Sequence, residues 1–157
     1  MLESIKKVKV VVRGAGDLAT GVIYNLHQAG FRVVATEVES PMVVRRTVSF
    51  AEAIHQGEYS VEGITSERIE DYTEVEATWQ QNHLPVIVDP EAEIIDELEP
   101  QVVVDATMAK RNLGTQIDDA PLVIALGPGF SAGDDVDAVI ETNRGHDLGR
   151  IITAGRG

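Results

Sequence analysis

Residues 8–38 read VKVVVRGAGDLATGVIYNLHQAGFRVVATEV, and the hydrophobic period changes twice within them. Val8 to Val12 is a β-branched apolar run with the length of a buried strand. GAGDLATG follows at once. Apolar residues then recur at Leu18, Val22, Ile23, Leu26 and Ala29, spacings of three and four that place them on one face of a helix. Gly30 stands where a helix C-terminal glycine belongs. Arg32 to Val38 reads as a second strand, ending in the acidic pair Glu37 and Glu39. The order is strand, glycine loop, helix, strand.

The same alternation continues outward. Pro41 opens a loop that leads to Arg45 and Arg46. A short helix is expected from Val48 to Gln56, with Thr47 or Ser49 as N-cap and Gly57 as terminator. From Gly63 to Gln81 the chain is heavily acidic and is expected to form a solvated helix. Val86 to Val88 is a short strand, Ala92 to Leu98 a helix broken by Pro100, and Val102 to Val104 a strand ending at Asp105. PLVIALGPG is another apolar strand closed by glycines. VDAVIET and GRIITAG are two last strand candidates, with RGH as a hairpin turn between them. Strands alternating with helices imply right-handed crossovers and a parallel sheet. Residues 1–157 are therefore expected to form one α/β domain, Rossmann-like and doubly wound. Its sheet should be mainly parallel, with helices on both faces and an antiparallel edge hairpin near the C-terminus.

Composition narrows the function classes. The chain is 43% apolar and 25% charged, as a globular domain is. With 13 Lys+Arg against 26 Asp+Glu its formal charge is −13, which repels nucleic-acid phosphates and anionic lipid surfaces. It holds no cysteine, which removes disulfides, zinc–thiolate and iron–sulfur sites and a thiol nucleophile from its own chemistry. The apolar run near the N-terminus is closed by Arg13, too early for a secretory signal core. No stretch approaches the roughly 20 apolar residues of a membrane span. A reducing cytoplasm is the expected location.

Gly14-Ala15-Gly16-Asp17-Leu18-Ala19 fits G-x-G-x-x-[G/A], and Glu37 lies 23 positions beyond Gly14 (37 − 14), close to the fingerprint's acidic residue. Gly14 permits the tight turn, Gly16 lets backbone approach a pyrophosphate, and Ala19 allows close packing of helix on strand. The helix N-terminus offers unpaired N–H groups to an anion. Asp17 stands where the pyrophosphate would approach: its carboxylate either repels that ligand or caps the helix. Capping is the preferred reading. Glu37 would accept from the adenine ribose hydroxyls, so NAD is expected as cofactor, NADP less so. Arg45 and Arg46 are salt-bridge partners or an anion site.

Two further strand-end loops lie where such sheets hold ligands. Residues 105–112 carry Lys110 and Arg111; residues 127–135 carry Gly127 and Gly129, whose successive N–H groups suit an anion nest or an ordinary turn. His27, His55, His83 and His146 make no metal pattern, so no metal is expected. His146 and Lys110 are weak candidates for proton transfer, and no catalytic constellation stands out.

The run from Val10 to Ile64, with LPVIVDPE, VVVDATMAKRNLGTQIDDAPLVIALGPGF and DAVIETNRGHDLGRII, resembles the YqeB-type accessory proteins of selenium-dependent molybdenum hydroxylase systems. These are similar to the Rossmann part of the XdhC/CoxI maturation factors. The resemblance extends from about Val8 to Ile152, and proteins of that family continue well past this stretch. It implies a helper that handles or inserts a molybdopterin-type cofactor, with the apo-hydroxylase as protein partner and the glycine loop as nucleotide site. Arg45, Arg46, Lys110, Arg111 and residues 127–130 carry over as motif positions only. A homo-oligomer is compatible with this reading. The rival expectations are an NAD-dependent oxidoreductase acting on a small carbonyl compound, and a ligand-free scaffold acting by protein contacts.

Overall fold

The structure, a computed structural model, describes residues 7–41, 48–143 and 145–156. Arg45, Arg46 and Thr47 lie outside the described residues, as does Arg144 of the expected RGH turn. Strand β1 (Lys9–Arg13) leads through the glycine loop into α1 (Asp17–Gln28) and then β2 (Arg32–Glu37). There follow α2 (Glu52–Gln56), the hairpin β3 (Glu58–Val61) and β4 (Ile64–Ile69), a 3-10 turn, and α3 (Val75–Gln80). Next come β5 (Leu84–Val88), α4 (Ile94–Leu98), β6 (Val102–Asp105) and β7 (Leu122–Leu126). The short strands β8 (Ser131–Ala132), β9 (Ala138–Ile140), β10 (Ile151–Ile152) and β11 (Gly155–Arg156) complete the chain.

Nine strands form one sheet in the order β10-β9-β7-β6-β1-β2-β5-β4-β3. From β4 to β9 the neighbours run parallel; β3 and β10 are antiparallel edges. The central strands β5-β2-β1-β6-β7-β9 follow the doubly wound 3-2-1-4-5-6 order, so chain direction across the sheet reverses between β1 and β6. Alternation along each central strand splits the core in two. Val10, Val12, Val33 and Ala35 pack under Ala19 and Ile23 of α1 and under Phe50, Ala53 and Ile54 around α2. Val11, Val34 and Val103 face the other way, toward Val75 of α3, Ile94 and Ile95 of α4, and Phe130. Each fully buried Val or Ile contributes roughly 1.5–3 kcal/mol. The expected hairpin near the C-terminus is present, with Ile151 opposite Ile140 and Ile152 opposite Val139.

Three local expectations are corrected. The acidic stretch from Gly63 to Gln81 begins as β4, not as helix: Glu62 (φ 50°) and Gly63 (φ 83°) form a two-residue turn joining Val61 to Ile64. Positive φ at both positions is the signature of a type I′ hairpin, which outweighs the helix-favouring glutamates. The helix expected from Val48 starts only at Glu52, because the buried Ser49 hydroxyl accepts from Ala51 N–H while donating to the Ala15 carbonyl. Leu18 leaves the packed face of α1, where Ala19, Thr20 and Ile23 are buried, and is 44% exposed.

The hairpin turn yields a clean backbone test, since a Cβ on Gly63 would meet no atom within 4 Å. Gly63→Ala should cost about 1 kcal/mol through left-handed backbone strain alone. The midpoint of urea unfolding should fall with its slope unchanged.

Candidate functional site

A crevice of about 780 Å³ opens at the carboxyl ends of β1, β2 and β6, where the strand order reverses. Its walls are the glycine loop and first turn of α1, the end of β2, Pro90, and residues 106–109 with Leu113 after β6. Open α/β sheets hold their ligands at this place.

The glycine loop is held by its middle residue. Ala15 is fully buried, and its N–H donates to Glu37 Oε1 at 2.9 Å. Its carbonyl accepts from the Ser49 hydroxyl (2.7 Å), the Ala51 N–H (2.9 Å) and the Thr20 hydroxyl (3.2 Å). Gly14 N–H donates to the Thr36 carbonyl, binding the turn to β2. The two glycines have different reasons to be glycine. Gly14 has φ 101°, and a Cβ there would stand 3.0 Å from the Ala106 carbonyl oxygen. Gly16 has φ −74°, and a Cβ there would meet nothing within 4 Å. Gly14 is required by the fold, whereas the space beside Gly16 is the crevice itself. The helical hydrogen bonds begin with Thr20 N–H to Gly16 carbonyl, so the amides of the first turn precede the ladder and remain for a ligand.

Glu37 and Asp17 both line the crevice. The Glu37 carboxylate accepts from Ala15 N–H through one oxygen and from Val38 N–H (2.8 Å) through the other. Gly16 is the N-cap of α1, and Asp17 makes no capping hydrogen bond; its Oδ1 is buried without a partner. The preferred reading of Asp17 as a capping side chain is therefore corrected. Asp17 sits one position inside the helix, where its charge favours the positive end of the helix dipole without a direct bond.

Beneath the crevice lies a polar group that sequence reasoning did not single out. Arg13 and Asp105 end the paired strands β1 and β6 opposite one another and are 3% and 1% exposed. The Thr115 hydroxyl joins them: Arg13 Nη1 donates to it at 2.8 Å, and it donates to Asp105 Oδ2 at 2.6 Å. Asp105 Oδ1 accepts from the Thr107 hydroxyl and N–H, and Arg13 Nη2 donates to the Pro90 carbonyl. The signal was a charged residue closing an apolar strand at the same level on two strands. Their adjacency depends on a pairing between segments some ninety residues apart.

The other expected residues fall elsewhere. Lys110 and Arg111 are exposed on the loop after β6 and do not line the crevice. Gly129 meets that loop by backbone, since its Cβ would lie 2.6 Å from Arg111 Cα, and a Cβ on Gly127 would lie 3.1 Å from Met108 Cε. The structure thus brings the 127–129 loop and the Lys110–Arg111 loop together as packed backbone. His146 is exposed in the turn between β9 and β10 and is not a lining residue of the crevice. Among the described residues no group of three His, Asp or Glu is placed to hold a metal ion, and no helix is long and apolar enough to cross a membrane.

These features define a Rossmann-like α/β domain with an open crevice at its switch point. No family model matches the chain, and no solved structure matches it. It is similar to the Escherichia coli (strain K12) protein described as "Uncharacterized protein YqeB", with 53% identity over 146 residues, 93% of this chain. The chain spans 27% of that relative's length.

The Thr115 bridge sets a stability test. Thr115→Val keeps the shape but leaves Arg13 Nη1 and Asp105 Oδ2 without their shared partner, so it should cost about 2 to 3 kcal/mol. Urea unfolding measures this, and Ser at position 115 should restore most of the loss.

Proposed function

We propose that the crevice binds an adenine nucleotide, as NAD in preference to NADP, and that the protein is an accessory factor rather than a catalyst. In this reading it assists maturation or cofactor handling of a selenium-dependent molybdenum hydroxylase. One observation carries the nucleotide assignment: a glycine loop pinned at Ala15, with an open side at Gly16, faces the switch-point crevice. A phosphate placed there meets the first-turn amides of α1 and the positive end of its dipole. Glu37 stands at the end of β2, where the ribose would lie; each carboxylate oxygen has a lone pair beyond the one used on Ala15 or Val38. A 2′-phosphate would face that negative charge.

The accessory role rests on the family resemblance carried by the sequence motifs and on the crevice's chemistry. No histidine and no lysine is among the described residues lining the crevice, and its only cation, Arg13, is engaged by Thr115 and Pro90. Among the described lining residues the titratable side chains besides Arg13 are the carboxylates of Asp17 and Glu37, and Glu37 is engaged by the Ala15 and Val38 amides. A molybdopterin-type cofactor is the cargo this reading suggests, with the hydroxylase apo-enzyme as partner. Lys110 and Arg111, exposed on the loop after β6, join Arg45 and Arg46 as the cations proposed to meet its phosphate.

Calorimetry with NAD, NADH and adenosine diphosphate ribose tests the nucleotide site. Binding should be lost in Gly16→Asp, a variant that folds normally because the added side chain enters open space. NAD should bind at least about tenfold more tightly than NADP, a difference of roughly 1.4 kcal/mol, and Glu37→Ala should narrow the gap. No heat at millimolar ligand with the fold intact by circular dichroism rejects the assignment.

The helper role predicts that wild-type protein raises the activated fraction of apo-hydroxylase supplied with molybdopterin cofactor. Removing a cation that holds a desolvated phosphate, in Arg45→Ala, Arg46→Ala or Lys110→Ala, should cost about 2 to 5 kcal/mol in cofactor binding, against under about 1 for a surface salt bridge. Oxidation of NADH with a small carbonyl compound, without activation, establishes the oxidoreductase instead.

A further inference from the structure

We infer that the recognised unit is a single adenine nucleotide, a nucleoside diphosphate moiety, and that the second half of a dinucleotide is not gripped by this fold. The inference rests on the nucleotide reading of the crevice and deepens it. A doubly wound sheet grips a dinucleotide with two mononucleotide-binding halves, each a set of parallel strands with helices between them. Here the halves are unequal. The first is complete, with β1, the glycine loop, the twelve-residue α1 and β2 in sequence. The second comprises β6, β7 and β9, and it contains no helix. Residues 106–121 join β6 to β7 without one, and residues 127–137 join β7 to β9 with only the two-residue β8. No helix N-terminus is therefore available in this half to receive a phosphate.

The space above the second half is also occupied by the chain itself. The loop after β6 folds back over the end of β7, with Met108 (φ 57°) and Lys110 (φ 67°) in left-handed conformations that turn it. A Cβ on Gly127 would stand 3.1 Å from Met108 Cε and 3.2 Å from its Sδ, and a Cβ on Gly129 only 2.6 Å from Arg111 Cα. Phe130, next in sequence, is buried in the core below. Among the described residues the crevice accordingly takes its lining from β1, the glycine loop and α1, the end of β2 with Val38 and Ser40, Pro90, residues 106–109 and Leu113, and none after Leu113 contributes. Leu18, Val38, Met108 and Leu113 are exposed apolar side chains that all belong to this lining. They suit the flat faces of one base, and burying them supplies affinity that a free anion would not obtain.

The test compares ligands that differ only in the second half. In calorimetry on the wild-type chain, ADP and adenosine diphosphate ribose should bind within about threefold of NAD. Nicotinamide mononucleotide should give no heat at millimolar concentration. In saturation-transfer NMR of bound NAD, the adenine H2 and H8 and the adenosine H1′ should receive saturation while the nicotinamide protons do not. Gly16→Ala should weaken ADP and NAD by the same factor. NAD binding tenfold or more tighter than ADP, or nicotinamide protons saturated as strongly as adenine, overturns the inference and leaves the nucleotide site standing. Absence of binding by every adenine nucleotide overturns both.

Discussion

Arg13 and Asp105 are opposite charges buried at the ends of adjacent strands, and the region above them is built around keeping both satisfied. A buried charge is tolerated only when paired and hydrogen-bonded. The pair here is completed by groups from elsewhere: Thr115 bridges the two, Thr107 donates to Asp105, and the Pro90 carbonyl accepts from Arg13. Asn112 in turn fixes Thr115, its side-chain oxygen accepting from the Gly114 and Thr115 amides and its nitrogen donating to the Thr115 carbonyl. One electrostatic requirement at the sheet end thus anchors the loop after β5 and the loop after β6. Those loops are two walls of the crevice, so the site's shape follows from the need to satisfy two charges in its floor.

The third wall is set by sterics and by backbone hydrogen bonds. Ala15 uses its amide on Glu37 and its carbonyl on three donors, so the glycine loop has no freedom to follow a ligand. Such a site is formed in advance and loses little conformational entropy on binding. The anchoring also gives Glu37 a role in positioning the loop, whatever else its carboxylate contacts. Ser49 and Ala51 come from the segment just before α2, which ties the far side of the core to the same residue.

Much of this was legible in residues 8–38, because strand, glycine turn and helix each have a distinct period and the glycines fall at the junction. The mainly parallel sheet was legible in the alternation of strands with short helices, whereas the order of its strands was not. The β3–β4 hairpin was hidden by composition: Glu67 and Glu70 look helical, while the deciding signal is the two-residue Glu62–Gly63 turn. Site details were less legible for a different reason. Spacing places Glu37 at the end of β2 but does not say that both its oxygens meet backbone amides. Periodicity puts Leu18 on the apolar face of α1, yet the close approach of α1 to β1 is made by Ala19 and Ile23, and Leu18 turns to the crevice. The Arg13–Thr115–Asp105 chain needed the register of β1 against β6, which no local pattern contains.

The electrostatics of the crevice limit how an anion could be held there. The described lining supplies one guanidinium, and that group is engaged in the floor, while Asp17 and Glu37 add two carboxylates. Side-chain charge therefore opposes a phosphate, and attraction must come from oriented peptide dipoles. Those dipoles act over the first helical turn only. They favour an anion that reaches the α1 amides directly and give no long-range pull to one that does not. Asp17 sharpens the same restriction, because it stabilises the helix end when the site is empty and penalises an anion placed off the helix axis. Lys110 and Arg111 are exposed on the loop after β6, outside that lining. On the proposed reading a single diphosphate would suit the inner site, and a bulkier phosphate-bearing cofactor would find its positive charge on that loop.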